Sequence, residues 1–378
     1  MRVLVSGGGT GGHINPALAI AGKIKSEDKD AVIEYVGTRK GLETKLVPKE
    51  GYKIHYVHVE GIKRKITPEN IKAAFEAVTS VFEAKRIIKE FKPDIVIGTG
   101  GYVCWPVLKA ASSMKIPTVV HESNAYPGVT TKMLSKYVDK ILLNFEESAK
   151  YLETAKEKLA VVGNPVKGEM FSQSKSECRK SLGILPGEKV LLSYGGSLGA
   201  QRVNETVFEM ISEKLLSDDI RHIHATGNIY WDKAKSRFLN DGFSVSDENT
   251  IKKGKTEIKQ YIYNMPQMLA CADVVICRAG AMTVSEIAAT GKAAVFIPSP
   301  NVTDNHQYKN ALVLKKANAA ELIEEKELSA KLLAQAVGAY FNDRAFAERV
   351  SGNVRAFAEP KCLDKIYSVI KKLTSESV

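Results

Sequence analysis

At 378 residues the chain is longer than one hydrophobic core usually grows, so two domains of roughly 150 to 200 residues each are expected. Its 44% hydrophobic and 26% charged residues are ordinary for a folded protein and exclude a low-complexity chain. A net charge of +11 turns the choice of partners toward anions, whether nucleic acid, an acidic membrane surface or a phosphorylated substrate, and five scattered cysteines without C-x-x-C spacing exclude a disulfide framework and a structural zinc site.

Met1 leads straight into Arg2-Val3-Leu4-Val5, a strand pattern, so no secretory leader is expected. No apolar run approaches the roughly 18 residues that suggest a membrane span, and any membrane contact is expected to be peripheral. β-Rich runs at residues 3–5, 32–36, 95–97, 117–120 and 141–143 then alternate with helical patterns. The rhythm restarts after Gly163-Asn164-Pro165, with runs at 190–194, 222–225, 274–276 and 293–297. Such alternation predicts α/β architecture, here two doubly wound parallel-sheet domains joined near residue 165.

Both halves open alike. The first strand runs into Gly7-Gly8-Gly9-Thr10-Gly11-Gly12, its counterpart runs into Gly195-Gly196-Ser197-Leu198-Gly199, and a third glycine turn is Gly98-Thr99-Gly100-Gly101. Glycine after a parallel strand lets backbone N–H groups close on a ligand, and the helix start that follows favours negative charge. Tight-turn packing accounts for any one loop equally well, whereas three together favour phosphate or sugar contact. Gly7, Gly9 and Gly12 also fit G-x-G-x-x-G, with Glu34 where a ribose-binding acid is expected, so an NAD-dependent oxidoreductase is a rival. Against it, His13 stands where a dinucleotide helix begins with small residues, and that fold calls for no second glycine-loop system.

The strings G-G-T-G-G-H-I-N-P-A-L-A-I-A from Gly8, G-G-Y-V from Gly100, H-E-S-N from His121, G-N-P-V from Gly163 and G-G-S-L-G-A from Gly195 follow in fixed order. C-R-A-G-A-M-T-V-S-E-I-A-A-T-G-K from Cys277 and H-Q-Y-K-N-A from His306 complete the set. The set resembles the MurG family of peptidoglycan N-acetylglucosaminyltransferases, whose motifs here run from the first strand to about residue 311. The resemblance implies a GT-B fold, two Rossmann-like domains facing a cleft: residues 1–164 toward acceptor and membrane, 165–345 holding the UDP-sugar, and 346–378 returning to the first domain. It implies inverting transfer of N-acetylglucosamine from UDP-N-acetylglucosamine to lipid I, undecaprenyl-diphospho-muramoylpentapeptide, at the cytoplasmic face of the membrane. By motif position, Ile262 would meet uracil, Ala281, Met282 and Thr283 the nucleotide, Glu286 the ribose and Gln307 the sugar. Thr10, Gly11, Gly12, Asn124 and Ser197 would complete the donor site. Another transferase of this fold, or a non-catalytic sugar-nucleotide-binding subunit, remain alternatives.

The residues themselves support several of these roles. Thr283 opens a helical pattern whose first N–H groups suit a diphosphate, and Glu286, one turn on, can accept two ribose hydroxyls. Thr283-x-x-Glu286 reads equally as a capping box. His13, at a helix start where the dipole favours neutral imidazole, is the candidate base, with Glu122 in reserve. Lys167 and Arg278 are candidates for stabilising the departing diphosphate. Lys167 stands where the family often has arginine, which loses the bidentate fork, and His306 replaces the first of a frequent glutamine pair. No cofactor or metal is expected: Asp28-Lys29-Asp30 lies at the wrong sheet edge, and His121-Glu122 is not H-E-x-x-H because Ala125 ends it. No nucleic-acid module is recognisable, so the expected anionic partner is the inner-membrane surface. Lys63-Arg64-Lys65 precedes a helical stripe of Ile71, Phe75, Val78 and Phe82 among Lys72, Lys85, Arg86 and Lys89, which either packs on the sheet or meets that surface.

Overall fold

The computed structural model describes residues 1–59 and 68–376, and in the helix that begins at Pro68 the side chains of residue 76 and of 78 onward. The chain divides into two units, Met1–Val166 with Glu359–Val378, and Lys167–Ala358.

Unit 1 runs β1 (Arg2–Ser6), α1 (Gly11–Glu27), β2 (Val32–Gly37), α2 (Glu43–Lys49), β3 (Lys53–Tyr56), α3 (Pro68–Phe91), β4 (Ile95–Gly98), α4 (Cys104–Ser113), β5 (Thr118–Glu122), α5 (Val129–Leu134), β6 (Lys140–Leu143) and β7 (Leu159–Val161). Its strands form one parallel sheet in the order β3-β2-β1-β4-β5-β6-β7. The central strands are covered on both faces, which is why they read as unbroken apolar runs. Leu4, Val96 and Val120 face the α3 and α4 side, whereas Val3, Val5, Ile95 and Ile97 face α1.

Unit 2 begins with α6 (Glu169–Ser172), α7 (Lys175–Ser181), β8 (Lys189–Tyr194), α8 (Gln201–Ser212), β9 (Ile220–Ala225) and α9 (Trp231–Asn240). A meander of β10 (Ser244–Asp247), β11 (Thr250–Lys253) and β12 (Thr256–Lys259) follows, then α10 (Met265–Cys271), β13 (Val274–Cys277), α11 (Ala281–Thr290) and β14 (Ala293–Phe296). The unit closes with α12 (His306–Lys316), β15 (Glu321–Leu322), α13 (Ala330–Asn342) and α14 (Arg344–Arg355). Its sheet order is β10-β11-β12-β9-β8-β13-β14-β15, parallel except for the antiparallel pairs of β10 to β12.

The chain then returns to unit 1 as α15 (Cys362–Ser375), whose buried Cys362, Ile366 and Ile370 join Ile14, Ala17 and Ile20 of α1 in one core. The expected return at residue 346 is therefore corrected to 359. Val350 of α14 is buried with α13 and β14 of unit 2, and only α15 lies with unit 1. In each unit the first strand lies between strands laid down in opposite directions, β1 between β2 and β4 and β8 between β9 and β13. Crevices at such switch points, beyond the carboxyl ends of the strands, are where open α/β sheets bind ligands.

Candidate active site

In unit 1 the crevice lies between the loop after β1 and the loop after β4. His13 occupies the first turn of α1, and its Nδ1 is 3.1 Å from the Thr99 carbonyl, while the Thr99 hydroxyl donates to the His13 carbonyl at 2.6 Å. A carbonyl only accepts, so Nδ1 carries a proton. The third glycine turn makes room for this ring. A Cβ on Gly100, whose φ is +109°, would come within 2.5 Å of His13 Nδ1, and one on Gly101 would meet the Gly8 carbonyl at the same distance. Thr10 and Gly12 are exposed at the helix start, where first-turn N–H groups have no intrahelical partner.

Glu122 ends β5 and is buried with its carboxylate fully engaged. Oε1 accepts from the Asn124 N–H at 3.0 Å and the Asn124 amide at 3.1 Å; Oε2 accepts from the Gly128 N–H at 2.9 Å and the Thr131 hydroxyl at 2.6 Å. The reserve base of the sequence reading is thus committed to anchoring the 123–131 loop and the attitude of Asn124. Its neighbour His121 donates to the Gly163 carbonyl at 2.8 Å, and burial holds its pKa below the ordinary imidazole value. Glu34 is paired with His55 and Lys53 of β3, so it is not poised for a ribose as the dinucleotide rival requires.

In unit 2 the corresponding crevice holds a cavity of about 530 Å³ lined by Gly195, Arg202, Arg278, Ser299, Gln307 and Glu325, among others. Gln307 is steadied by accepting the Ser299 N–H at 2.9 Å. Arg278 is held by Glu325 at 2.6 Å and by the Ile297 and Pro298 carbonyls at 3.1 Å, so its charge enters the cavity already shared. Ser197 is exposed on the glycine loop, and Ile262 is buried ahead of α10.

The helix carrying Thr283 starts two residues earlier than expected. Gly280 is the N-cap, α11 begins at Ala281, and the first helical bond runs from the Val284 N–H to the Gly280 carbonyl at 2.9 Å. Thr283 stands at the third helical position, which removes the capping-box reading and puts the Met282 and Thr283 N–H groups in the first turn, where the helix itself offers them no carbonyl. Glu286 sits one turn further in, its carboxyl pushed up to about 7 by burial while exposed Lys167 pulls it down.

The glycosyltransferase family 28 N-terminal domain matches residues 3–143 and the family's C-terminal domain matches 190–366. The chain belongs to glycosyltransferase family 28. Relatives in this family include the UDP-N-acetylglucosamine–N-acetylmuramyl-(pentapeptide) pyrophosphoryl-undecaprenol N-acetylglucosamine transferases of Acetivibrio thermocellus and Clostridioides difficile. Each is 42% identical over 99% of this chain, covering 98% and 89% of the relative. The crystal structure of Acinetobacter baumannii MurG superposes with a TM-score of 0.77 at 26% identity, covering 98% of this chain and 99% of that one.

Within unit 1, the residues named from sequence gather at one sheet edge: Thr10, Gly11, Gly12 and His13 after β1, Glu122 and Asn124 after β5. In unit 2, Arg278 and Gln307 share the cavity wall, whereas Ala281, Met282, Thr283 and Glu286 lie along α11 and are not among its lining. Thr99, which orients His13, was visible only as part of a glycine turn. Arg202 and Glu325 carried no motif at all, since an arginine after a glycine loop and an acid in the run Glu324-Glu325 look like solvated charge.

Proposed function

We propose that this family 28 glycosyltransferase moves N-acetylglucosamine from UDP-N-acetylglucosamine to lipid I, giving lipid II with inversion at the anomeric carbon. What carries the reading is the reach of the likeness: relatives named for that reaction align over 99% of the chain, so it runs through the catalytic loops of both units.

The chemistry is one in-line displacement. The acceptor hydroxyl oxygen bonds to the anomeric carbon as that carbon's bond to the UDP oxygen breaks. The hydroxyl proton goes to Nε2 of His13, and the electron pair leaves on the diphosphate. His13 suits the task because the Thr99 carbonyl holds a proton on Nδ1, which makes Nε2 the basic nitrogen of the neutral ring. The first turn of α11, with Lys167, meets the charge on the departing diphosphate, and Arg278, tethered by Glu325, contributes a shared charge. On unit 2, Glu286 takes the ribose hydroxyls, Ile262 the uracil and Gln307 the sugar, with Ser197 on the glycine loop; on unit 1, Thr10, Gly11, Gly12 and Asn124 are assigned to the donor. Glu122 positions Asn124.

The reaction takes place at the cytoplasmic face of the bacterial membrane, against its anionic surface. Val78 and Phe82 of α3 support this: they are 55% and 66% exposed, while the buried face of the helix is Ala84, Ile87, Ile88 and Phe91. That half of the stripe looks outward and does not pack on the sheet. Lys63, Arg64 and Lys65 lie outside the described residues, as do the side chains of Ile71, Lys72 and Phe75. Among the described residues no helix is long and apolar enough to cross a membrane. The test is purified chain with lipid I and labelled UDP-N-acetylglucosamine, read as label in lipid II. Equal use of UDP-glucose or UDP-galactose would make it a different transferase, and donor binding without turnover would make it a non-catalytic subunit.

A further inference from the structure

We propose that Glu43 is a positioning residue for this reaction, acting through the glycine loop that ends in His13. Glu43 opens α2 and is fully buried, and its carboxylate is held by three neutral donors. Oε2 accepts the Gly9 N–H at 3.1 Å; Oε1 accepts the Thr38 N–H at 3.0 Å and the Thr38 hydroxyl at 2.8 Å. A carboxylate taken out of water is tolerated only while such donors stay aimed at it, so side chain and loop fix one another.

The surrounding backbone is shaped for this side chain. A Cβ on Gly37 would come within 2.6 Å of Glu43 Cγ, one on Gly8 within 2.8 Å of Oε1, and one on Gly41 within 1.9 Å of Oε2. Gly37 and Gly41 are not among the positive-φ glycines, so close approach rather than turn geometry explains them. Gly9 is different: its φ is +87°, and a Cβ there would meet nothing within 4 Å. What holds Gly9 is its own N–H, turned inward to Glu43, with exposed Thr10 and Gly12 following it. Other ties of the loop include the Tyr35 hydroxyl on the Gly7 carbonyl at 2.7 Å, the Gly8 N–H on the Gly100 carbonyl at 3.3 Å and the Thr99 bonds to His13. Glu43 thus fixes the entry of the chain into α1, and with it the direction of the first-turn N–H groups and of the imidazole.

The inference rests on His13 being the base, and the test separates the two. Glu43→Gln keeps the volume; because Thr38 offers two donors, it retains the oxygen and leaves an NH2 group against the Gly9 N–H. Gly41→Ala drives a Cβ into the carboxylate, 1.9 Å from Oε2 and 2.4 Å from Oε1, and so displaces it while leaving the Glu43 side chain and the Gly7–Gly12 loop chemically unchanged. Thr38→Val removes one bond to the same carboxylate but spares the Gly9 bond. At saturating lipid I and UDP-N-acetylglucosamine, Glu43→Gln and Gly41→Ala are expected to lower kcat about a hundredfold, the scale of an ångström of misplacement. Their affinity for UDP, whose uracil, ribose and diphosphate contacts are assigned to Ile262, Glu286 and α11 of unit 2, should stay within about threefold, and Thr38→Val should keep kcat within about threefold at a comparable loss of melting temperature. Folded Glu43→Gln or Gly41→Ala with parental kcat overturns the proposal, as does Thr38→Val slowing in step with them; where Glu43→Gln does not fold, Gly41→Ala decides. A His13→Ala variant as active as the parent removes the reading beneath the proposal, whereas slow His13→Ala beside fast Glu43→Gln sinks the Glu43 role alone.

Discussion

With Glu286 as the proposed ribose ligand, donor binding is expected to depend on pH near neutrality. In the unliganded chain its carboxyl is raised from 4.5 to about 7, chiefly by burial on α11. Only the ionised form accepts hydrogen bonds from two ribose hydroxyls, so affinity should be lost as pH falls through 7. With one titrating group, UDP-N-acetylglucosamine should bind about tenfold more weakly at pH 6 than at pH 8. Glu286→Gln should bind roughly ten- to a hundredfold more weakly at pH 8, and its affinity should be flat across the range. Stability should move the other way. The folded state holds the proton more tightly than the unfolded one, so stability falls as pH rises from about 4.5 to 7, and above 7 the penalty is complete, on the order of 3 kcal/mol. Glu286→Gln lacks that penalty and should melt at higher temperature than the parent at pH 8. Calorimetric titration with the intact nucleotide sugar, whose diphosphate is esterified at both ends, avoids phosphate titration in this window. A parental affinity constant from pH 6 to 8, or a Gln variant with the same slope, would refute the reasoning.

His13→Ala is expected to lower kcat by roughly a hundred- to ten-thousandfold with the donor dissociation constant little changed; stopped-flow or steady-state assays at saturating donor read it, and lost donor affinity with surviving turnover would make His13 a phosphate ligand instead. Phe82→Glu, with or without charge reversal at Lys63, Arg64 and Lys65, should weaken sedimentation with anionic vesicles while sparing activity on a detergent-soluble acceptor; unchanged sedimentation at moderate salt would move the membrane face elsewhere. His222 and His224, buried on β9 and sharing the Ser193 hydroxyl at 2.8 Å, are brought down to about 3 by burial. Unfolded histidine takes its proton near pH 6.5, so stability present above that value should drain toward pH 3 at about 1.4 kcal/mol per pH unit per histidine, and His224→Phe should reduce the slope in urea titrations between pH 6 and 4 by about that amount.

The central strands were legible because burial on both faces demands apolar residues at every position, as at Val3 to Val5 and Ile95 to Ile97. β3 and β10 to β12 were not. Ser244-Val245-Ser246-Asp247 is exposed throughout, and Thr250 to Lys259 has only Ile251 and Ile258 apolar among lysines and other polar residues, a composition that polar loops share. The boundary of the returning segment was misread because α14 and α15 are both amphipathic, and an apolar stripe does not say which sheet it covers. At the site, glycine spacing exposed the loops but not what fixes them. The four donors on Glu122 and the three on Glu43 are mostly backbone and hydroxyl groups from loops, which leave no periodic trace.

Because Glu359 onward belongs with Met1–Val166, the chain is in effect unit 2 inserted into unit 1. Synthesis from the amino end therefore makes all of Lys167–Ala358 before the last helix of unit 1 leaves the ribosome. Until then Ile14, Ala17 and Ile20 of α1 lack the cover of Ile366 and Ile370, and the nascent chain carries an open apolar groove beside the loop that holds His13. The inserted unit is a continuous segment, so a growing chain has every unit 2 residue proposed for the nucleotide before it has the helix that covers α1, the helix carrying the proposed base.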